Sequence, residues 1–210
     1  VGFLAMRFRR TSVLAIGLLL AFTTAACDTT LKETTTTSPA PLATLVLTEE
    51  GLGDLLIGYP PDVVISDISA LFGSPDHDSD WIPSETNIYG SCPGLAMRAV
   101  GWGSLVAIFI NDTPDPLGER FFTYTYGYDY SENVGGVDPR GLALVTEAGI
   151  GLGSTVAELQ SAYGDTARVG GDAALDVWSF EIAGSALRGL LDGPNATSTV
   201  TLIEITPSCG

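Results

Sequence analysis

Two stretches of this chain read alike, and that repetition constrains its fold more than any other feature. Leu55-Leu56-Ile57-Gly58 precedes a helical pattern that ends at Leu71-Phe72-Gly73, and Ile150-Gly151-Leu152-Gly153 precedes one that ends at Ala162-Tyr163-Gly164. A unit that recurs limits the architecture to duplicated supersecondary pieces. The second helix is the better specified. Thr155-Val156-Ala157-Glu158 is a capping box, in which the Thr hydroxyl accepts from an early backbone N–H while the Glu reaches back. Val156, Leu159 and Tyr163 then share one face, and Gly164 supplies the left-handed stop. The first helix begins with Pro60-Pro61-Asp62, where Pro61 suits the first helical position and Asp62 complements the helix dipole. Its apolar face is Val64, Ile68 and Leu71.

Strand signals follow each helix. After the first come Ala96 to Trp102 and Leu105 to Ile110, joined by Gly103-Ser104, a loop suited to a type II′ hairpin, and then Phe121 to Tyr128. After the second come Leu175 to Ile182, Leu187 to Leu191 and Thr199 to Ile205, the last with clean alternation. The expected class is therefore α+β, two similar helix-plus-three-stranded antiparallel units in tandem, over residues 45–130 and 131–210.

A short extended segment ending in Gly, a capped helix and Trp-containing strands together resemble the duplicated unit of the β-lactamase inhibitor proteins and the single unit of small outer-membrane assembly lipoproteins. Gly149-Ile150-Gly151-Leu152-Gly153-Ser154-Thr155-Val156-Ala157-Glu158-Leu159 carries the resemblance best. Residues 27 onward as a whole also look like secreted actinobacterial lipoproteins without assigned function. The likeness covers about residues 50–206 and implies a concave sheet that grips a protein partner. Its motif is a turn and a cap, which specify fold rather than activity.

The N-terminus reads as an export signal, residues 1–26. Arg7, Arg9 and Arg10 form a charged region, Val13 to Phe22 an apolar one, and Ala25-Ala26 a small-residue cleavage site. The apolar stretch is shorter than the roughly 20 residues that a membrane span needs. Thr24-Ala25-Ala26-Cys27 resembles a bacterial lipobox, so Cys27 is the expected lipidation site and the membrane is contacted through that lipid; an ordinary signal cleavage is the alternative. Residues 27–44 hold Thr-rich sequence and Ser38-Pro39-Ala40-Pro41, an extended tether. The location expected is extracytoplasmic, on a bacterial envelope. With Cys27 lipidated, Cys92 and Cys209 are the thiols left to form a disulfide in an oxidising compartment.

The chain carries 9 basic and 25 acidic residues, a formal net charge of -16. Such a surface excludes nucleic acid, whose phosphates need clustered Lys and Arg, and favours a basic partner. The one histidine, His77, lies in Ser74-Pro75-Asp76-His77-Asp78-Ser79-Asp80, with no Gly-x-Ser-x-Gly elbow elsewhere to receive it. Lys32, the one lysine, sits in the tether, which removes Walker-type phosphate binding. Asp76, Asp78 and Asp80 have the spacing of a calcium loop's first ligands, but Trp81 and Asn87 occupy the positions that need Gly and Glu, so a solvated acidic turn is expected. No catalytic residue, metal or cofactor is assigned.

Phe121-Phe122-Thr123-Tyr124-Thr125-Tyr126-Gly127-Tyr128-Asp129-Tyr130 is the remaining local feature. At a period of two, Phe122, Tyr124, Tyr126, Tyr128 and Tyr130 project from one face. Core packing and recognition compete for Phe122 and Tyr124; exposure is expected for Tyr126, Tyr128 and Tyr130, because each buried phenol needs a partner. The expected partner-binding set is Tyr124, Tyr126, Tyr128 and Tyr130. The function expected is a lipid-anchored envelope module that recognises a protein or polymer through this aromatic face. A carboxylate-dependent hydrolase of an extracellular polymer and a structural envelope protein are the competing classes.

Overall fold

A computed structural model describes residues 45–83, 96–113, 118–129, 134–135 and 138–206. Short strands β1 (Val46–Leu47), β2 (Gly51–Leu52) and β3 (Leu55–Leu56) lead into α1 (Pro61–Phe72). β4 (His77–Asp78) and β5 (Ile82–Pro83) precede the long strands β6 (Ala96–Trp102), β7 (Leu105–Asn111) and β8 (Glu119–Tyr126). β9 (Tyr128–Asp129) and β10 (Val134–Gly135) pair as a ribbon, and β11 (Val145–Thr146) lies parallel to β1. α2 (Val156–Tyr163) is followed by β12 (Ala167–Asp172), β13 (Val177–Ile182), β14 (Leu187–Leu191) and β15 (Val200–Ile205). The protein is α+β.

The long strands join one nine-stranded sheet in the order β12-β13-β14-β15-β8-β7-β6-β4, with β5 also on β6. β15 and β8 pair antiparallel across the boundary expected near residue 130, Ile203 opposite Tyr126 and Glu204 opposite Thr125. The second half has four strands instead of three, because Ala167–Asp172 also pairs with β13 along its whole length. Its Gly170-Gly171 breaks the apolar alternation by which strands are recognised.

One face of this sheet is covered by α1, α2 and a four-stranded sheet of order β11-β1-β2-β3. The core between the layers takes Leu47 and Leu52 from the small sheet, Val64, Ile68, Val156 and Leu159 from the helices, and Trp102, Phe109, Phe121, Phe180 and Ile203 from the large sheet. Each such side chain, fully buried, contributes about 1.5–3 kcal/mol of transfer free energy. The periodicity of the helices produces this directly: α1 buries Pro61, Val64 and Ile68, and α2 buries Val156 and Leu159.

Helix ends follow their local chemistry. Thr155 Oγ1 accepts from Glu158 N at 3.2 Å, and Glu158 Oε2 accepts from Thr155 N at 2.7 Å, completing the capping box. Pro60 gives α1 no side-chain cap; at the other end the Trp102 indole N–H donates to the Gly73 carbonyl at 3.1 Å. Gly103 has φ 60 while Ser104 is not in the left-handed region, the pattern of the II′ hairpin expected there.

Candidate functional site

Tyr124 and Tyr126, the described side chains of the tyrosine row, do not form an exposed face. A register shift between Ile108 and Phe109 sets Thr123 opposite Ile108 and Phe121 opposite Phe109, so one residue of β8 is extra. This β-bulge resets the period of two. Phe121, Tyr124 and Tyr126 therefore enter the core under the helices, while Phe122 packs on the opposite face against Met97, Ala99, Val106, Ile108 and Ile110. Tyr124 is 0% and Tyr126 1% exposed, which corrects their assignment as partner-binding residues.

Both phenols find the partners that burial demands. Tyr124 donates to the Thr48 carbonyl at 2.9 Å. Tyr126 donates to Asp138 Oδ2 at 2.8 Å and accepts from Leu144 N at 3.3 Å. Burial pushes both hydroxyls well above the ordinary phenol value, with the neighbouring Asp138 carboxylate adding to the effect at Tyr126. Burial alone would raise Asp138, but the Ala143 and Leu142 N–H groups and the Tyr126 and Ser104 hydroxyls hold it below the ordinary carboxylate value. The Tyr128 side chain, Tyr130, Cys27, Cys92 and Cys209 lie outside the described residues.

The acidic turn is not simply solvated. Asp76 is joined to Arg140, which also donates to the Phe72 and Ser74 carbonyls, and Asp76 Oδ2 accepts from Gly103 N at 2.7 Å. Asp78 takes Arg98 in a two-pronged pair at 2.9 and 2.6 Å. These guanidinium bonds depress both carboxyls below their usual value. The spacing that imitates calcium ligation thus serves to clamp the end of α1 and β4 onto β6 and the 138–140 turn. Among the described residues, no group of three or more His, Cys, Asp or Glu could hold a metal ion.

The surface that stands open is the second half of the large sheet, on the face away from the helices. Alternation in β12–β15 sends Ala167, Val169, Phe180, Ile182, Leu187, Leu191 and Ile203 toward the core. The residues between them point out. Register places Arg168 opposite Glu181, Glu181 opposite Arg188, and Arg188 opposite Glu204. Four strands therefore carry one straight row of alternating charge. Arg168 Nη1 stands 3.5 Å from Glu181 Oε1, and Arg188 Nη2 2.8 Å from Glu204 Oε1. The next row holds Gly170, Ser179, Leu190 and Leu202.

A shallow cavity of about 550 Å³ lies over these rows, lined by Arg168, Ser179, Glu181, Arg188, Leu190 and Glu204 among others. Val177 and Leu190 are 50% and 41% exposed beside it. Each carboxylate in the row faces a guanidinium across a strand pair. Arg188 also stands between Glu181 and Glu204, separating the two carboxylates of this face by a cation.

Sequence reasoning missed these four residues because the row exists only once β12 and the register of four strands are known. The available signal was the outward phase of the alternation in Val-Trp-Ser-Phe-Glu-Ile, Leu-Arg-Gly-Leu-Leu and Val-Thr-Leu-Ile-Glu-Ile, where charges fall between core residues. Comparison of the chain with protein-family models, with curated proteins and with solved structures finds no match.

Proposed function

We propose that this chain is a binding module of a bacterial envelope, exported by residues 1–26, anchored through a lipid on Cys27 and held off the membrane by the 27–44 tether. Its partner is a protein or polymer bearing basic groups, and it performs no catalysis of its own. The tandem reading belongs here too: each half supplies a helix on one side of antiparallel strands, and the halves are fused edge to edge through β8 and β15. A disulfide between Cys92 and Cys209 would fasten the chain's end to the first half. Among the described residues, no helix is long and apolar enough to cross a membrane.

The observation that carries the binding reading is the open face of β12–β15. It combines a row of alternating charges, exposed Val177 and Leu190, and a shallow groove, on a sheet whose other side is packed by helices. A rigid sheet of this kind presents charge in fixed register, which confers specificity and association rate more than raw affinity. A second observation supports a basic partner. Arg98, Arg120, Arg140, Arg168 and Arg188 are each ion-paired within the chain, so the surplus charge of the described residues is all acidic. An acidic surplus steers basic partners and makes association sensitive to salt.

The test is capture from envelope extract with the full chain, comparing the wild type with a Glu181→Arg, Glu204→Arg double variant and with Tyr124→Phe. A partner that uses this face is captured by the wild type and by Tyr124→Phe, is lost with the double variant, and elutes at moderate salt. Capture of the same protein by all three would remove the open face from the function.

A further inference from the structure

We infer that β12 is a self-pairing edge: two copies of this chain join antiparallel along β12, about a two-fold axis at Gly170, to make one continuous sheet. This pairing shares the charged row with the docking reading above but rests in addition on the free edge of β12 and the register of its backbone groups.

Among the described residues, β12 is the terminal strand of the nine-stranded sheet and is paired on one side only, with β13. Natural edges are blunted by Pro, Lys, bulges or shortness. β12 is six residues long, Ala-Arg-Val-Gly-Gly-Asp, pairs with β13 without a register shift, and its Arg168, Gly170, Gly171 and Asp172 are exposed. The phase of its free hydrogen bonds follows from its partner. Ala183 N donates to the Thr166 carbonyl, so residues 166, 168, 170 and 172 turn their backbone groups toward β13. Ala167, Val169 and Gly171 then present theirs outward.

Charge selects the occupant and the register. Arg168, Gly170 and Asp172 share the open face of the sheet, since side chains alternate along a strand. Antiparallel pairing centred on Gly170 sets Arg168 of each copy opposite Asp172 of the other. It also sets Val169 opposite Gly171, two residues whose outward N–H and C=O groups exchange bonds directly. Centring on Val169 would set Arg168 against Gly170 and leave both charges without a counterpart. The charged row Glu204, Arg188, Glu181, Arg168 would continue into the second copy's Asp172 with its alternation of sign intact. The groups facing this pair are favourable from each strand: Glu181 lies on the far side of Arg168, and Asp172 Oδ1 accepts from Ala174 N, leaving its other oxygen for the guanidinium. At the axis two glycines meet. A Cβ on Gly170 would touch nothing within 4 Å in the single chain, so the absence of a side chain there is not required by the fold.

Charge-swap association tests this with the full chain. Sedimentation at about 0.15 M salt, where screening acts over about 8 Å, is expected to show reversible dimers of the wild type. Arg168→Glu and Asp172→Arg should each weaken the dimer by about tenfold or more, because each alone sets like charges across the axis. An equimolar mixture of the two variants should restore dimerisation, as every cross-axis pair is again of opposite sign. Val169→Pro, which removes an outward N–H that β13 does not use, should abolish it. Unchanged far-ultraviolet dichroism and thermal midpoints show that the variants remain folded. A monomeric wild type at about 1 mM, an association that survives Val169→Pro, or one indifferent to both charge reversals would overturn the pairing.

Discussion

The two halves of the one sheet share a helix-covered face and differ on the other. In β6–β8 that second face carries Met97, Ala99, Val106, Ile108 and Ile110, all at most 3% exposed. In β12–β15 it carries Arg168, Glu181, Arg188 and Leu190, all exposed. The difference was visible in the residues: Leu-Val-Ala-Ile-Phe-Ile in β7 is apolar without alternation, the mark of a strand buried on both sides, whereas Leu-Arg-Gly-Leu-Leu alternates. What a strand offers a partner is set by whether its second face is covered, and the type of residue is secondary. Tyr124 and Tyr126 on the doubly buried half are core, and Arg168 and Arg188 on the open half face outward.

The sharpest way to break that contrast is to truncate one residue of each kind. Tyr124→Ala or Tyr126→Ala removes a ring at most 1% exposed and is expected to destabilise the fold by about 3–5 kcal/mol, which equilibrium denaturation would measure. Tyr124→Phe keeps the ring and loses only the bond to Thr48, at a cost of about 1 kcal/mol. A small effect of the alanine variants would mean that β8 is not the core strand described here.

Gly189 probes the packed side of the open half. A Cβ there would run into the Leu202 carbonyl and the Phe180 ring, so the glycine is what lets that ring lie flat on β14. Gly189→Ala should cost about 2–3 kcal/mol through displaced backbone and an off-rotamer Phe180. Gly170→Ala, on the other face two strands away, meets nothing and should leave thermal unfolding of the monomer nearly unchanged.

Local chemistry was legible and register was not. The capping box at Thr155 and Glu158 and the Gly103-Ser104 hairpin each depend on residues within a few positions, so the sequence displays them whole. The bulge in β8 inverts the face of Phe122 relative to Tyr124, and it depends on how β7 and β8 settle against each other. β12 stayed hidden because two glycines interrupt its pattern, and with it went the charge row, whose members are separated by up to 36 positions in sequence from Arg168 to Glu204. In the sequence alone the alternate aspartates look like a solvated turn, because Arg98 and Arg140, which take two of them, lie on distant segments.

Asp138 sharpens the contrast through pH. Its carboxylate gathers Tyr126, Ser104 and the Ala143 N–H behind the first half, and Asp138→Ala should cost about 1–2 kcal/mol at neutral pH by leaving those donors unpaired. Because its folded pKa is depressed, the stability it confers is present above the ordinary carboxylate value of about 4 and is lost as pH falls through the folded value. Asp76 and Asp78 act in the same direction. The urea midpoint should therefore fall between pH 5 and about 3 in the wild type, and fall less in Asp138→Ala.

The smallest effect on stability is expected where the effect on binding is largest. Arg188 and Glu204 are paired at 2.8 Å, yet their side chains are 49% and 28% exposed, so water competes for both partners and holding two long chains together costs rotamer entropy. Arg168 and Glu181, at 3.5 Å and more than 60% exposed, gain still less. A double-mutant cycle over Arg188 and Glu204 should return a coupling of about 0–1 kcal/mol, and truncating Arg168 should be neutral within about 0.5 kcal/mol. A row maintained for stability would show more than that. If instead the cycle returned several kcal/mol, the charges would belong to the fold, and the open half would be as structural as the buried one. With coupling near zero, four charged residues aligned on adjacent strands have little to do within the chain, and their alternating order gains its value only when another surface is laid against it.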